Sequence, residues 1–171
     1  MPKLFKTDSM DYGNAQFNKP PFSLLSMVPG LSQQVDSKNL VFDMRKLEPG
    51  CYSFPYHYHR NAEELMYIIS GEMMVRSTDG FQVVRQGDVI FFEMGETGAH
   101  QFYNHSEDAC TYLDIKTFLG LDLVIYPDSG KMMVSKYNEV FKFEDQVNYF
   151  ADEDSVEEKW GEVFAGKNKD G

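Results

Sequence analysis

Histidine is scarce in this chain, four in 171 residues, yet two of the four stand one residue apart in the stretch His57-Tyr58-His59-Arg60-Asn61-Ala62-Glu63-Glu64. On a β-strand, residues i and i+2 point to the same face, so His57 and His59 project together and Tyr58 turns away. On a helix the two would diverge by about 200°. Two neutral imidazoles held side by side are half of a site for a transition-metal ion. Arg60-Asn61-Ala62 leaves room for a turn, and the next strand opens with Glu63-Glu64, either of which can return as an oxygen ligand. Parity does not choose between them. Met66 and Ile68 share a face with Glu64, whereas Leu65, Tyr67 and Ile69 share one with Glu63. Both sets are mainly apolar, so the strand is expected to be buried on both sides. A third imidazole comes from His100, at the start of a strand that puts Phe102 and Asn104 on the same face. His105 has the opposite parity, begins a polar turn and reads as surface.

Elements able to position these side chains are legible as an all-β series. The stretch 39–50 alternates Leu40, Phe42 and Met44 against Val41, Asp43 and Arg45, then stops at Pro49-Gly50. Residues 64–70 read as a strand ending at Gly71. Residues 72–84 read as a hairpin turned by Asp79-Gly80, where the glycine supplies positive φ. Further short runs follow around residues 87–95, 100–104, 110–118 and 121–130. Turn signals every 8–12 residues or so indicate a sandwich or barrel and not a βαβ fold. Residues 1–23, polar and rich in Pro and Asn, are expected to form an N-terminal arm, and 24–150 the barrel. Residues 151–171 are expected to be a short C-terminal helix and tail, with Ser155 as N-cap, Glu158 as capping-box partner and the helix running to about Phe164.

At this point the chain resembles the cupins, which are double-stranded β-helix (jelly-roll) barrels. Their first motif, G-x5-H-x-H-x3-4-E-x6-G, is similar to Gly50, His57, His59, Glu64 and Gly71, with the first gap one residue longer. Their second, G-x5-P-x-G-x2-H-x3-N, is similar to Gly87 through His100 and Asn104. The interval from Gly87 to His100 is two residues longer, and Glu93 or Gly95 stands at the proline's place. The resemblance covers about residues 38–118. It implies a jelly-roll fold, metal ligands at His57, His59, Glu64 and His100, and small single-domain relatives of unassigned activity that are commonly homodimers. A site of three imidazoles and a carboxylate suits Mn, Fe, Co, Ni, Cu or Zn and leaves one or two positions open for water or substrate. Phe54, Met66, Ile68, Phe102 and Tyr52 are candidates to line a mostly apolar pocket.

Composition narrows the function classes. The formal net charge of −11 and the absence of a basic cluster make nucleic acid and anionic membrane poor partners. No apolar run approaches the roughly 20 residues that cross a bilayer. The opening residues carry no apolar signal region, so a cytoplasmic location is expected. Cys51 and Cys110 form no C-x-x-C and are expected as buried thiols. The sequence around Ser129-Gly130-Lys131 is not a phosphate loop, because Ile125 and Met132 replace its first glycine and its Ser or Thr. Two function classes stand: a metal-dependent oxygenase, isomerase or decarboxylase acting on a small polar metabolite, or a non-catalytic binder of a sugar or carboxylate, with or without metal. Glu63 would be an outer base only if the first holds.

Overall fold

The computed structural model describes residues 2–167. In chain order the strands are β1 (Asp11–Asn14), β2 (Leu24–Val28), β3 (Leu40–Leu47), β4 (Tyr58–His59), β5 (Glu64–Ser70), β6 (Glu72–Ser77), β7 (Gly80–Arg85), β8 (Val89–Phe92), β9 (Gln101–Tyr103), β10 (Cys110–Thr117), β11 (Leu123–Tyr126), β12 (Lys131–Val134) and β13 (Glu139–Lys142). They form a six-stranded sheet in the order β1-β2-β3-β10-β5-β8, a four-stranded sheet β13-β12-β11-β4 and a three-stranded sheet β7-β6-β9. This is the all-β jelly roll expected. Residues 11–14 of the segment read as an arm are strand β1, paired with β2 at the edge of the large sheet. The described residues divide into a compact unit up to Phe141 and a second from Lys142. The second carries helix α1 (Val156–Lys167), which starts directly after Ser155.

Strand alternation decides which side chains enter the barrel. From β3 these are Asp43, Arg45 and Leu47; from β5, Glu64, Met66 and Ile68; from β10, Cys110, Tyr112, Asp114 and Lys116. One end of the interior is apolar: Leu24, Leu47, Ile68, Met73, Phe102 and Tyr112 are at most 2% exposed. Such burial is worth roughly 1.5–3 kcal/mol per large side chain and is the main force holding the sheets together. Gly71 permits the close turn between β5 and β6. Its φ is +76°, and a Cβ there would stand 2.7 Å from the Ala109 carbonyl oxygen.

The outer side of β5 is not buried, contrary to the two-sided reading. Tyr67 is 41% exposed, and next to it on β8 Val89 and Phe91 are 62% and 54% exposed. Cys110 is buried as expected, its thiol pushed up to about 11 by burial and by Glu72, whereas Cys51 is only half-buried.

Candidate metal centre

His57, His59, Glu64 and His100 arrive from separate elements and meet at one end of the barrel interior. His59 ends β4, which pairs with β11 through Val124, and Glu64 opens β5, where it faces Lys116 on one side and Phe92 on the other. His57 and His100 are joined main chain to main chain: the His57 N–H donates to the His100 carbonyl at 3.1 Å, and the His100 N–H donates back at 2.8 Å. Within the lengthened second motif the chain makes a 3-10 turn, Glu96–Gly98, shortly before His100. Gly98 is obligatory in that turn, since a Cβ would fall 1.9 Å from the Glu93 carbonyl oxygen.

Each imidazole has its Nδ1 engaged. Nδ1 of His57 donates to the Pro55 carbonyl at 2.9 Å, that of His100 to the Gly98 carbonyl at 2.8 Å, and that of His59 to Oδ2 of Asp122 at 2.5 Å. With the proton fixed on Nδ1, each neutral ring keeps its lone pair on Nε2. Two of these nitrogens lie against Glu64: His59 Nε2 is 3.5 Å from Oε1 and His100 Nε2 is 3.2 Å from Oε2. All four side chains are buried. Ligating atoms of His57, His59 and Glu64 lie within 4.8 Å of one another, spacing compatible with a single ion. His100 stands beside this trio, its ring 4.7 Å from that of His57 and stacked on Phe92 at 3.8 Å.

Glu64 carries the test of whether these donors fit a cation. Its Oε2 is buried and makes no hydrogen bond despite the nearness of His100. An orphaned buried carboxylate oxygen is costly, and a cation among three imidazole lone pairs would supply the missing partner. Burial pushes the Glu64 carboxyl up, but His100 and His59, when protonated, outweigh it and hold it well below the usual range; with the rings neutral, a bound cation would have to supply that positive charge. Burial, followed by the neighbouring His100 and His59, pushes His57 well below its ordinary value and so favours the neutral, ligating form. The residues fit the ion.

The cavity in front of the four is about 500 Å³, the size of a small-metabolite pocket. Phe54 and Met66 line it as expected. Ile68 and Phe102 lie in the apolar core instead, and Tyr52 stacks on Tyr103 away from the cavity. The wall is more apolar than polar, as expected, but it also carries charge. Asp43, Arg45, Asp114 and Lys116 face the same space, a set the strand patterns contained but did not single out. Arg45 Nε donates to Asp114 Oδ2 at 3.0 Å, its Nη1 donates to the Ser26 hydroxyl, and Nη1 lies 3.8 Å from Asp43. Asp122 was also not anticipated. It accepts from the Asn61 main chain as well as from His59, and these bonds overcome burial to hold its carboxyl below the usual value. Glu63 does not enter the cavity lining, and His105 makes only a peripheral contact with Glu72.

Comparison with known proteins follows the same geometry. Residues 44–116 match the model of the cupin domain family. A proposed sugar phosphate isomerase from Acidithiobacillus ferrooxidans superposes with a TM-score of 0.72 at 22% identity, covering 85% of this chain and 95% of that one. A cupin-superfamily sugar phosphate isomerase from Silicibacter pomeroyi gives 0.72 at 20% identity, with 86% and 98% covered. The polyketide cyclase RemF from Streptomyces resistomycificus gives 0.56 at 18% identity, with 68% and 80% covered. No curated protein matches in sequence. Likeness at these identities establishes the fold.

Proposed function

This chain belongs to the cupin superfamily through residues 44–116, and from that premise we propose that it binds one divalent transition metal through His57, His59, Glu64 and His100 and takes a small polar metabolite as ligand or substrate. One observation carries the reading: three imidazoles with Nδ1 protons engaged surround a carboxylate oxygen that has no hydrogen bond. The bound ion would act as a Lewis acid toward a carbonyl or hydroxyl oxygen of the metabolite. The chain's own residues orient the ligands, exclude water with Phe54 and Met66, and face the metabolite with the charged wall of β3 and β10. Sugar phosphates are the first class to offer. The two neighbours so named match this chain over nearly their whole length, including segments outside the cupin motifs.

Elemental analysis of the purified protein should find about one divalent transition ion per chain. Changing both His57→Ala and His59→Ala should abolish it while the circular dichroism spectrum stays that of a β-protein. Wild-type protein that takes up no ion after reconstitution would refute the reading. In the same proposal the chain acts as a homodimer, located below on the outer face of the large sheet. No helix among the described residues is long and apolar enough to cross a membrane.

A further inference from the structure

Two cationic side chains line the cavity beside the neutral imidazoles, Arg45 and Lys116. They differ in how they are answered. Arg45 is bracketed by Asp114 at 3.0 Å and Asp43 at 3.8 Å and also donates to Ser26, so its charge is spent within the wall. The Lys116 ammonium makes neither an ion pair within 4.0 Å nor a hydrogen bond among the described residues. It sits on β10 directly across from Glu64, on the inward face, two residues beyond Asp114. An ammonium turned into a cavity, partly shielded from water and without a partner, gives up hydration that a ligand of opposite charge restores. Asp114 adds a second functional group. Its Oδ2 accepts from Arg45, while its Oδ1 makes no hydrogen bond among the described residues and is available to a hydroxyl.

We propose, resting on the metal-centre reading above, that Lys116 anchors the anionic group of the pocket's ligand, which is therefore a small hydroxylated anion spanning from the metal to the lysine with a hydroxyl on Asp114. The charge of Lys116 is felt at the site, where it contributes to lowering the carboxyls of Glu64 and Asp122 and partly offsets the burial that leaves Asp114 raised. A purely structural role would account for that influence but would not make binding depend on ligand charge. The anion is a carboxylate or a phosphate monoester. Both present oxygens to a point-charge ammonium, and separate probes tell them apart.

The experiment is calorimetric titration of Mn(II)-reconstituted protein with D-gluconate, D-glucose 6-phosphate and neutral D-glucose, in wild type, Lys116→Met and Lys116→Arg. The metal content of every sample is measured first. Wild type should bind at least one of the two anions more tightly than glucose, and whichever anion wins identifies the group. A charge-assisted contact of this kind corresponds to roughly a 10- to 100-fold change in affinity. Lys116→Met should therefore lose about that factor for the anion, keep its metal and leave glucose unchanged, and Lys116→Arg should recover most of it. Anion affinity unaltered in Lys116→Met, glucose binding as well as the anions, or no anion binding to metal-loaded wild type would each overturn the proposal. Absence of metal from the wild type would instead refute the metal centre. The anion titrations then run on the metal-free protein, where loss of binding in Lys116→Met still supports the lysine anchor.

Discussion

A metal site of this kind is decided by which nitrogen of each ring carries a proton, and here three different acceptors settle that: two main-chain carbonyls and one carboxylate. Carbonyls survive any side-chain substitution. The Asp122 carboxylate does not, which makes it the point where orientation can be tested apart from ligation. Asp122→Ala should lower metal affinity by about 10- to 100-fold while the protein remains folded, measured by competition with a chromophoric chelator. Unchanged affinity would show that His59 is positioned by packing alone. The candidate ligands His57, His59 and Glu64, which the structure brings together, are legible in the sequence because two histidines and a glutamate cluster within eight residues. Asp122 is not. It reaches His59 across 63 residues of chain, and a single Asp between leucines has no local pattern that marks it. Parity left Glu63 and Glu64 equivalent. What separates them is the direction of the strand after the turn, which follows from tertiary packing.

At the level of elements, the turn from Glu93 to His100 determines whether His100 reaches the other ligands. Its tightness depends on Gly98, where a side chain would collide with the Glu93 main chain, and main chain cannot swing aside as a flexible side chain can. Gly98→Ala should destabilise the protein by about 1–3 kcal/mol, the usual scale for overpacking, and should weaken metal binding as His100 is displaced. Urea denaturation and metal titration together check it, and a variant as stable as wild type would show that the turn relaxes freely. Strand order and hairpins were readable from alternation and turn residues, including Gly80 with φ of +110°. The inward face of β3 was not. Alternation reports that two faces differ, and in a barrel whose mouth is polar it is Asp43 and Arg45 that turn inward while Phe42 and Met44 turn out. The same inversion places Asp114 and Lys116 inside on β10 and Leu113 and Ile115 outside.

On the scale of the molecule, that inversion leaves an apolar outer face. Two cross-strand rows run over it: Met44, Leu113, Tyr67 and Val89 in one, Phe42, Ile115, Leu65 and Phe91 in the other. Phe5 packs edge-on to Phe42 at one corner. The four strands, β3 and β10 of eight residues, β5 of seven and β8 of four, lie about 4.8 Å apart and cover roughly 430 Å² in projection. That is about half of the roughly 800 Å² each partner contributes to a standard interface, so flanking residues would have to supply the rest. None of these eight positions is charged, so on a chain of net charge −11 this is where a second copy can approach with least repulsion. Sedimentation should give twice the 19.7 kDa chain mass for wild type and the single mass for Phe91→Glu, each with its metal retained. Wild type sedimenting as a monomer at micromolar concentration would exclude the dimer. Inside the barrel, the paired amides and carbonyls of His57 and His100 have a different outcome. Peptide groups clasp these two residues through bonds that need no ion, so under the proposed function half of the donor set would be gathered by the backbone itself, unlike in a zinc finger, where the metal does the gathering. Which element filled such a nest would then depend on the cell's traffic in ions more than on the folding reaction.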